Sequence, residues 1–85
     1  MDFKIYRPLA AVRTARTSYK MLALVSWRGG PLQLDLRRWL LEGDELKPCR
    51  WLTLTDNEAQ MFAKAIIEYT EQKAAAQRDA QREGY

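Results

Sequence analysis

The sequence places arginine, lysine and tryptophan at strand spacing between Leu32 and Thr55, in the stretch LQLDLRRWLLEGDELKPCRWLTLT. Successive side chains of a strand point to opposite faces. Leu34 and Leu36 therefore share one face, and Asp35, Arg37 and Trp39 share the other. Leu52 and Leu54 repeat the apolar parity, with Trp51 and Thr53 opposite them. This pattern expects tryptophans beside arginines, away from the leucine face. Flat π surfaces next to guanidinium groups suit unpaired bases and their phosphates. Arg37, which shares parity with Trp39, is expected to hold phosphate. For the tryptophans parity leaves two readings: that each fills a gap in the core or a dimer seam, as large aromatics usually do, or that it stacks on a base. Asp35 is expected to brace the Arg37 guanidinium, since carboxylate and guanidinium pair in a fixed bidentate geometry. Arg38, of opposite parity, is expected to face the other side or an edge. Lys20, with Arg7, Arg13 and Arg16, is a candidate rim for a groove that tracks a backbone, although a solvated face explains each of these residues singly.

Other chemistries find little support. The chain has no histidine, the commonest general base and metal ligand, and its one cysteine, Cys49, cannot make a zinc site alone. Gly29-Gly30 between Arg28 and Pro31 reads as a hairpin turn, not a phosphate loop. Glu42, Asp44 and Glu45 read as a solvated turn rather than an acid/base pair. The expectation is a binding protein without catalytic residues, cofactor or metal. No apolar run approaches the roughly 20 residues of a membrane span, and MDFKIYRPLAAV lacks the apolar core of a secretory signal. These readings, with the absence of a disulfide framework, expect a cytoplasmic protein without a membrane partner.

Four strands and a helix are expected to carry these residues. The 85 residues suit one small domain, marginal as a monomer. Residues 1–52 carry ten Lys/Arg against five Asp/Glu, and residues 53–85 four against six, so the basic excess lies on the sheet-like part. A first strand is expected from Phe3 to about Val12, with Pro8 marking an edge or a bulge. A turn over Arg13 to Ser18 leads to a second strand, Tyr19 to Trp27, apolar on both parities. Arg28 to Pro31 is a turn and Leu32 to Leu40 a third strand. Glu42 to Pro48 is expected as a loop, and Arg50 to Leu54 as a short fourth strand. Thr55-Asp56-Asn57-Glu58 is a capping box, and Ala59, Phe62, Ala65, Ile66 and Tyr69 come after it at helical spacing. Met61 and Ile67 widen the apolar surface beyond one face, which suits either a well-buried monomer core or the cover of a second subunit. Residues 1–70 are read as the binding domain and 71–85 as a polar, alanine-rich helical extension that frays before Gly84.

The order of these residues resembles the positive cofactor four (transcriptional coactivator) family, and most of all its small bacterial members. The likeness rests on Trp27, the turn Gly29-Gly30-Pro31, the strand Leu34-Asp35-Leu36-Arg37 with Trp39, then Lys47-Pro48, Leu52-Thr53-Leu54-Thr55 and an acidic-capped helix. It covers roughly residues 3 to 70 and is strongest between Val25 and Glu58. The resemblance implies an α+β fold, a curved four-stranded antiparallel sheet followed by a C-terminal helix, assembled as a homodimer. It also implies sequence-tolerant binding of single-stranded DNA, or RNA, along the sheet, in transcription, replication or repair, with a nucleoid location in a bacterium. Trp27, Arg37, Trp39 and Lys47 match contact positions or their neighbours, and Arg28, Arg50, Trp51 and Lys20 complete the candidate set. Cys49 and Trp51 stand where the family usually has glycines, and this chain is one residue shorter there. The alternative class is a protein-interaction module whose aromatic sheet face docks a polypeptide.

Overall fold

A computed structural model describes residues 3–83. Four antiparallel strands, β1 (Phe3–Ala15), β2 (Ser18–Trp27), β3 (Leu32–Glu42) and β4 (Glu45–Pro48), precede one helix, α1 (Asp56–Glu83). The strands lie in the order β1-β2-β3-β4, so each is joined to its neighbour by a hairpin. The fold is α+β, an open sheet followed by a helix. The chain divides into two compact units, the sheet up to Thr55 and the helix from Asp56.

Each hairpin has a local cause. Arg28 and Gly29 both take positive φ, 53° and 71°, and the Gly30 amide donates to the Trp27 carbonyl at 2.8 Å. Positive φ at both central positions is the turn whose twist matches that of paired strands. Between β3 and β4 only Gly43 has positive φ, at 61°, in a two-residue turn that brings Glu42 opposite Glu45. Glycine at the first central position is what that turn requires. The sequence pattern alone marks Glu42 to Pro48 as loop and residues 50–54 as the fourth strand. The fourth strand is instead Glu45–Pro48, and residues 49–55 run on without a partner strand. The short turn at Gly43-Asp44 lets Leu46 and Lys47 pair at once with Leu41 and Leu40. Strand β1 is also longer than expected, because the turn shrinks to Arg16-Thr17 and Ala15 pairs with Ser18.

The register of β2 on β3 is unbroken from Ser18↔Leu40 to Ser26↔Leu32. It puts Tyr19, Met21, Ala23 and Val25 on one face with Trp39, Arg37, Asp35 and Gln33, and leucines 22, 24, 34 and 36 on the other. The parity read from the sequence therefore holds. Edge strand β1 breaks register three times, leaving Tyr6 and Leu9 unpaired on either side of Pro8, and Thr14 unpaired near the β1–β2 turn. Bulges bend a strand and add twist.

The bending is large. Trp39 lies opposite Tyr19, eight residues along β2 from Trp27. On a flat sheet that offset would be about 26 Å at the usual strand rise. The two indole rings are 6.2 Å apart and nearly parallel, at 8°. The sheet is therefore strongly bent around its tryptophan face, which brings these rings together while the sheet stays open. The core forms inside that curl: Met21, Ala23, Val25 and Trp39 are buried, and Phe3, Ile5, Trp27 and Leu46 pack against them.

The helix starts at Asp56, directly after Thr55, where the capping box placed it. Asp56 and Glu58 lie in its first turn, where negative charge meets the positive end of the helix dipole. It continues through the alanine-rich stretch to Glu83. Of the apolar stripe, Phe62 is buried and Ala65, Ile66 and Tyr69 are half-buried, whereas Ala59 is exposed. Met61 and Ile67 are exposed.

Candidate nucleic-acid interface

Strand pairing decides the fate of each candidate side chain. Trp39 sits between β2 and β4, opposite Tyr19 on one side and Pro48 on the other. It is 0 % exposed. Trp27 lies parallel to it, and the Phe3 ring is 5.1 Å from it at 50°. This corrects the expectation of a solvent-facing Trp39. The face is the one expected, but the sheet curls over it, so the indole fills the interior and presents no free surface. Its Nε1 has no hydrogen-bond partner. A buried donor left unmade costs about 1–3 kcal/mol, which the packing of Trp39 must offset.

Trp27 is half-buried. Beyond Trp39, its neighbours are the Phe3 ring at 5.7 Å and the Arg37 guanidinium, 4.4 Å from its ring centroid. Arg37 in turn donates from Nε and Nη2 to the two Asp35 carboxylate oxygens, each at 2.7 Å. Asp35 thus braces Arg37, as its position two residues away on the same strand face suggested. Its hydrogen bonds raise the Arg37 pKa, against the opposing effect of burial and with help from the Asp35 charge. The Arg37 guanidinium is cationic, as arginine is in proteins. The guanidinium is aimed and held, with a third of the side chain open to solvent.

The other basic candidates do not join this group. Lys20 pairs with Arg38, and Lys47 with Leu40, which puts both lysines on the leucine face rather than beside Trp39. Lys20, the candidate groove rim, and Lys47 therefore lie on the sheet face opposite Trp27 and Arg37. Lys47 Nζ lies 3.2 Å from Glu45. Arg38 donates to Ser18 Oγ at 2.8 Å, and Ser18 also accepts from Thr14. Arg13 is occupied at the β1–β2 turn, donating to the carbonyls of Ala15 and Arg16 and lying over Tyr19. Arg28 is exposed at the tip of the β2–β3 hairpin.

Residues 49–55 give a second group. The Cys49 amide donates to the Arg38 carbonyl at 2.9 Å and ends the β3–β4 ladder. Arg50, Trp51 and Thr53 are exposed, and Leu52 and Leu54 are half-buried, so the alternation survives without a partner strand. Trp51 is 81 % exposed, with no ring neighbour among the described residues. Trp51 thus offers an open indole face, next in sequence to the exposed Arg50, and a free aromatic face is what a stacked base requires. The aromatic sheet face offered for polypeptide docking is filled by the chain's own rings.

Sequence reasoning missed the cleft of about 680 Å³ lined by Phe3, Leu46, Pro48, Asp44, Glu45 and Lys47. Its signal was the Gly43-Asp44 hairpin, which sets β4 as an edge opposite the start of β1. No group of residues among those described could hold a metal ion, and no described helix is long and apolar enough to cross a membrane. No protein-family model matches the chain, and neither a curated protein nor a solved structure matches it.

Proposed function

We propose that this chain binds single-stranded nucleic acid with little sequence preference, DNA first and RNA as the alternative, and acts in this way in transcription, replication or repair. It is a binding protein and not an enzyme. The observation that carries the reading is Trp51, 81 % exposed and adjacent to Arg50. Large aromatics are highly buried on average, so an indole left open, next in sequence to an exposed arginine, calls for an occupant. A base supplies a π-face, and its phosphate a partner for Arg50. Arg28 and the braced Arg37 extend the positive charge along the curled sheet.

The working unit is a homodimer. Leu32, Leu34, Met61 and Ile67 are exposed apolar side chains on a short chain, and association would cover them. Sedimentation equilibrium at micromolar protein tests this, and twice the chain mass is expected.

Fluorescence anisotropy with labelled oligo-dT at two salt concentrations tests the function. Binding should weaken with salt, because each phosphate contact on a single strand releases counterions, with a log–log slope of about −0.7 per contact. Duplex should bind more weakly than single strand, since paired bases have no free faces for Trp51. Absence of any salt-dependent oligonucleotide binding would overturn the reading.

A further inference from the structure

We infer that the cleft between the free edges of β1 and β4 is a base pocket that favours nucleobases carrying an exocyclic amino group over thymine and uracil. The inference rests on the single-stranded nucleic-acid reading and names what that site selects. The cleft holds about 680 Å³, within the usual range of about 300–1,000 Å³ for small-ligand sites. Its apolar walls are the Phe3 ring, Leu46 and Pro48, which suit a flat ring. Its polar groups are Asp44, Glu45 and Lys47. Glu45 and Lys47 pair with each other at 3.2 Å, whereas Asp44 makes no hydrogen bond or ion pair among the described residues.

The discrimination follows from this donor and acceptor set. A carboxylate only accepts hydrogen bonds. Cytosine, adenine and guanine bring an amino group that donates, whereas thymine and uracil bring a carbonyl oxygen to the edge where cytosine has its amine. Two acceptors facing each other in a partly enclosed cleft repel. Along the chain, the pocket residues are followed closely by Trp51, the proposed stacking residue. Pro48 lines the cleft and Trp51 comes three residues later, with Arg50 between them. One base in the cleft and a neighbouring base on Trp51 would leave the intervening phosphate near Arg50. Lys47 neutralises Glu45 and so limits carboxylate–phosphate repulsion.

The test is competition. Labelled oligo-dT bound to the full chain is displaced by unlabelled oligo-dT, oligo-dC or oligo-dA of one length, with wild type, Asp44→Ala and Asp44→Asn. Asp44 is exposed in a two-residue turn, and circular dichroism confirms that the variants fold. Wild type should prefer oligo-dC to oligo-dT by about fivefold or more, the low end of discrimination by base-edge hydrogen bonds. Asp44→Ala should bring the ratio of oligo-dC to oligo-dT binding to about one. Asp44→Asn should also reduce it, because an amide both donates and accepts. Differences in stacking strength among the homopolymers do not depend on Asp44. A ratio that survives in Asp44→Ala would therefore overturn the inference, as would equal binding of oligo-dC and oligo-dT by wild type. Either result leaves the nucleic-acid reading standing. Failure to bind any oligonucleotide overturns both.

Discussion

The tripeptide Arg-Trp-Leu occurs twice, at residues 38–40 and 50–52, and the two copies have opposite fates. Trp39 is 0 % exposed and Trp51 81 %. Leu40 and Leu52 are both half-buried, and the alternation of side chains is kept in both copies. What differs is pairing. The first copy lies in β3, bonded on both sides, at the place where the sheet curls until Trp27 and Phe3 cover the ring. The second comes after the last bond of the β3–β4 ladder and has no strand beside it. Local sequence chose the face of each indole. Strand neighbours and curvature chose whether that face is an interior or a surface.

The largest test of this contrast is stability. Trp39→Ala removes a fully buried indole from the curl, a change that typically costs about 3–5 kcal/mol. For a chain of this size that is a large fraction of the folding free energy. Urea unfolding should show a largely unfolded variant or a steeply lowered midpoint. Trp51→Ala should stay within about 0.5 kcal/mol of the parent, as exposed substitutions do. Trp39→Phe should cost less than Trp39→Ala, because it keeps a ring and removes the unsatisfied Nε1. If Trp51→Ala destabilises as strongly as Trp39→Ala, the two copies are not the opposites described.

The second test reverses the order of effect. On oligo-dT binding, folded Trp51→Ala should lose about 1–3 kcal/mol, the usual value of one stacked base, and Trp51→Phe should recover part of it. Folded Trp39→Phe should bind as the parent does. Tryptophan fluorescence should be quenched on binding in the parent, and this change should largely vanish in Trp51→Phe. Quenching that persists would point to Trp27 as the ring in contact.

A third, smaller effect concerns the two arginines that precede Trp39, Arg37 and Arg38. Arg37→Ala would leave the buried Asp35 carboxylate without its bidentate partner. The pair is one-third open on the arginine side, so the loss should fall between that of a surface and a buried ion pair, about 1–2 kcal/mol. Arg38→Ala gives up one hydrogen bond to Ser18 and should cost about 1 kcal/mol or less. A double-mutant cycle with Asp35→Ala should show coupling to Arg37 and none to Arg38.

The sequence made the strand faces, the helix start and the Asp35–Arg37 brace legible, because each depends on residues close together in the chain. Parity assigned Trp39 and Arg37 to one face, and the unbroken β2–β3 register preserved it. The identity of the fourth strand was not legible. LKP has no strong strand signal, and it pairs only because the Gly43-Asp44 turn delivers it to β3. RWLTL alternates as a strand does, yet no strand lies beside it. Curvature was also hidden, since it comes from bulges in β1 that only pairing with β2 reveals. That is why Trp39 read as a surface residue, and why the cleft between β1 and β4 left no mark on any one segment.

The smallest effect comes from the third arginine–tryptophan neighbour pair, Trp27-Arg28, where backbone conformation rather than burial is at stake. Arg28 has φ of 53° at the first central position of the β2–β3 turn. Left-handed backbone costs a residue with a Cβ roughly 1–2 kcal/mol, and asparagine tolerates it better than most. Arg28→Asn should therefore stabilise the chain by about 0.5–1 kcal/mol, as a rise in the urea midpoint with unchanged slope. Arg28→Gly should gain less, because glycine loses more chain entropy on folding. The same Asn variant should bind oligo-dT more weakly and lower the salt slope by about 0.7, the value for one phosphate contact on a single strand. Opposite signs on stability and binding would place Arg28 with Arg50 and Trp51, among residues kept for a ligand at some expense to the fold. A variant both more stable and unchanged in binding would make Arg28 an ordinary turn residue and confine the interface to the segment after β4.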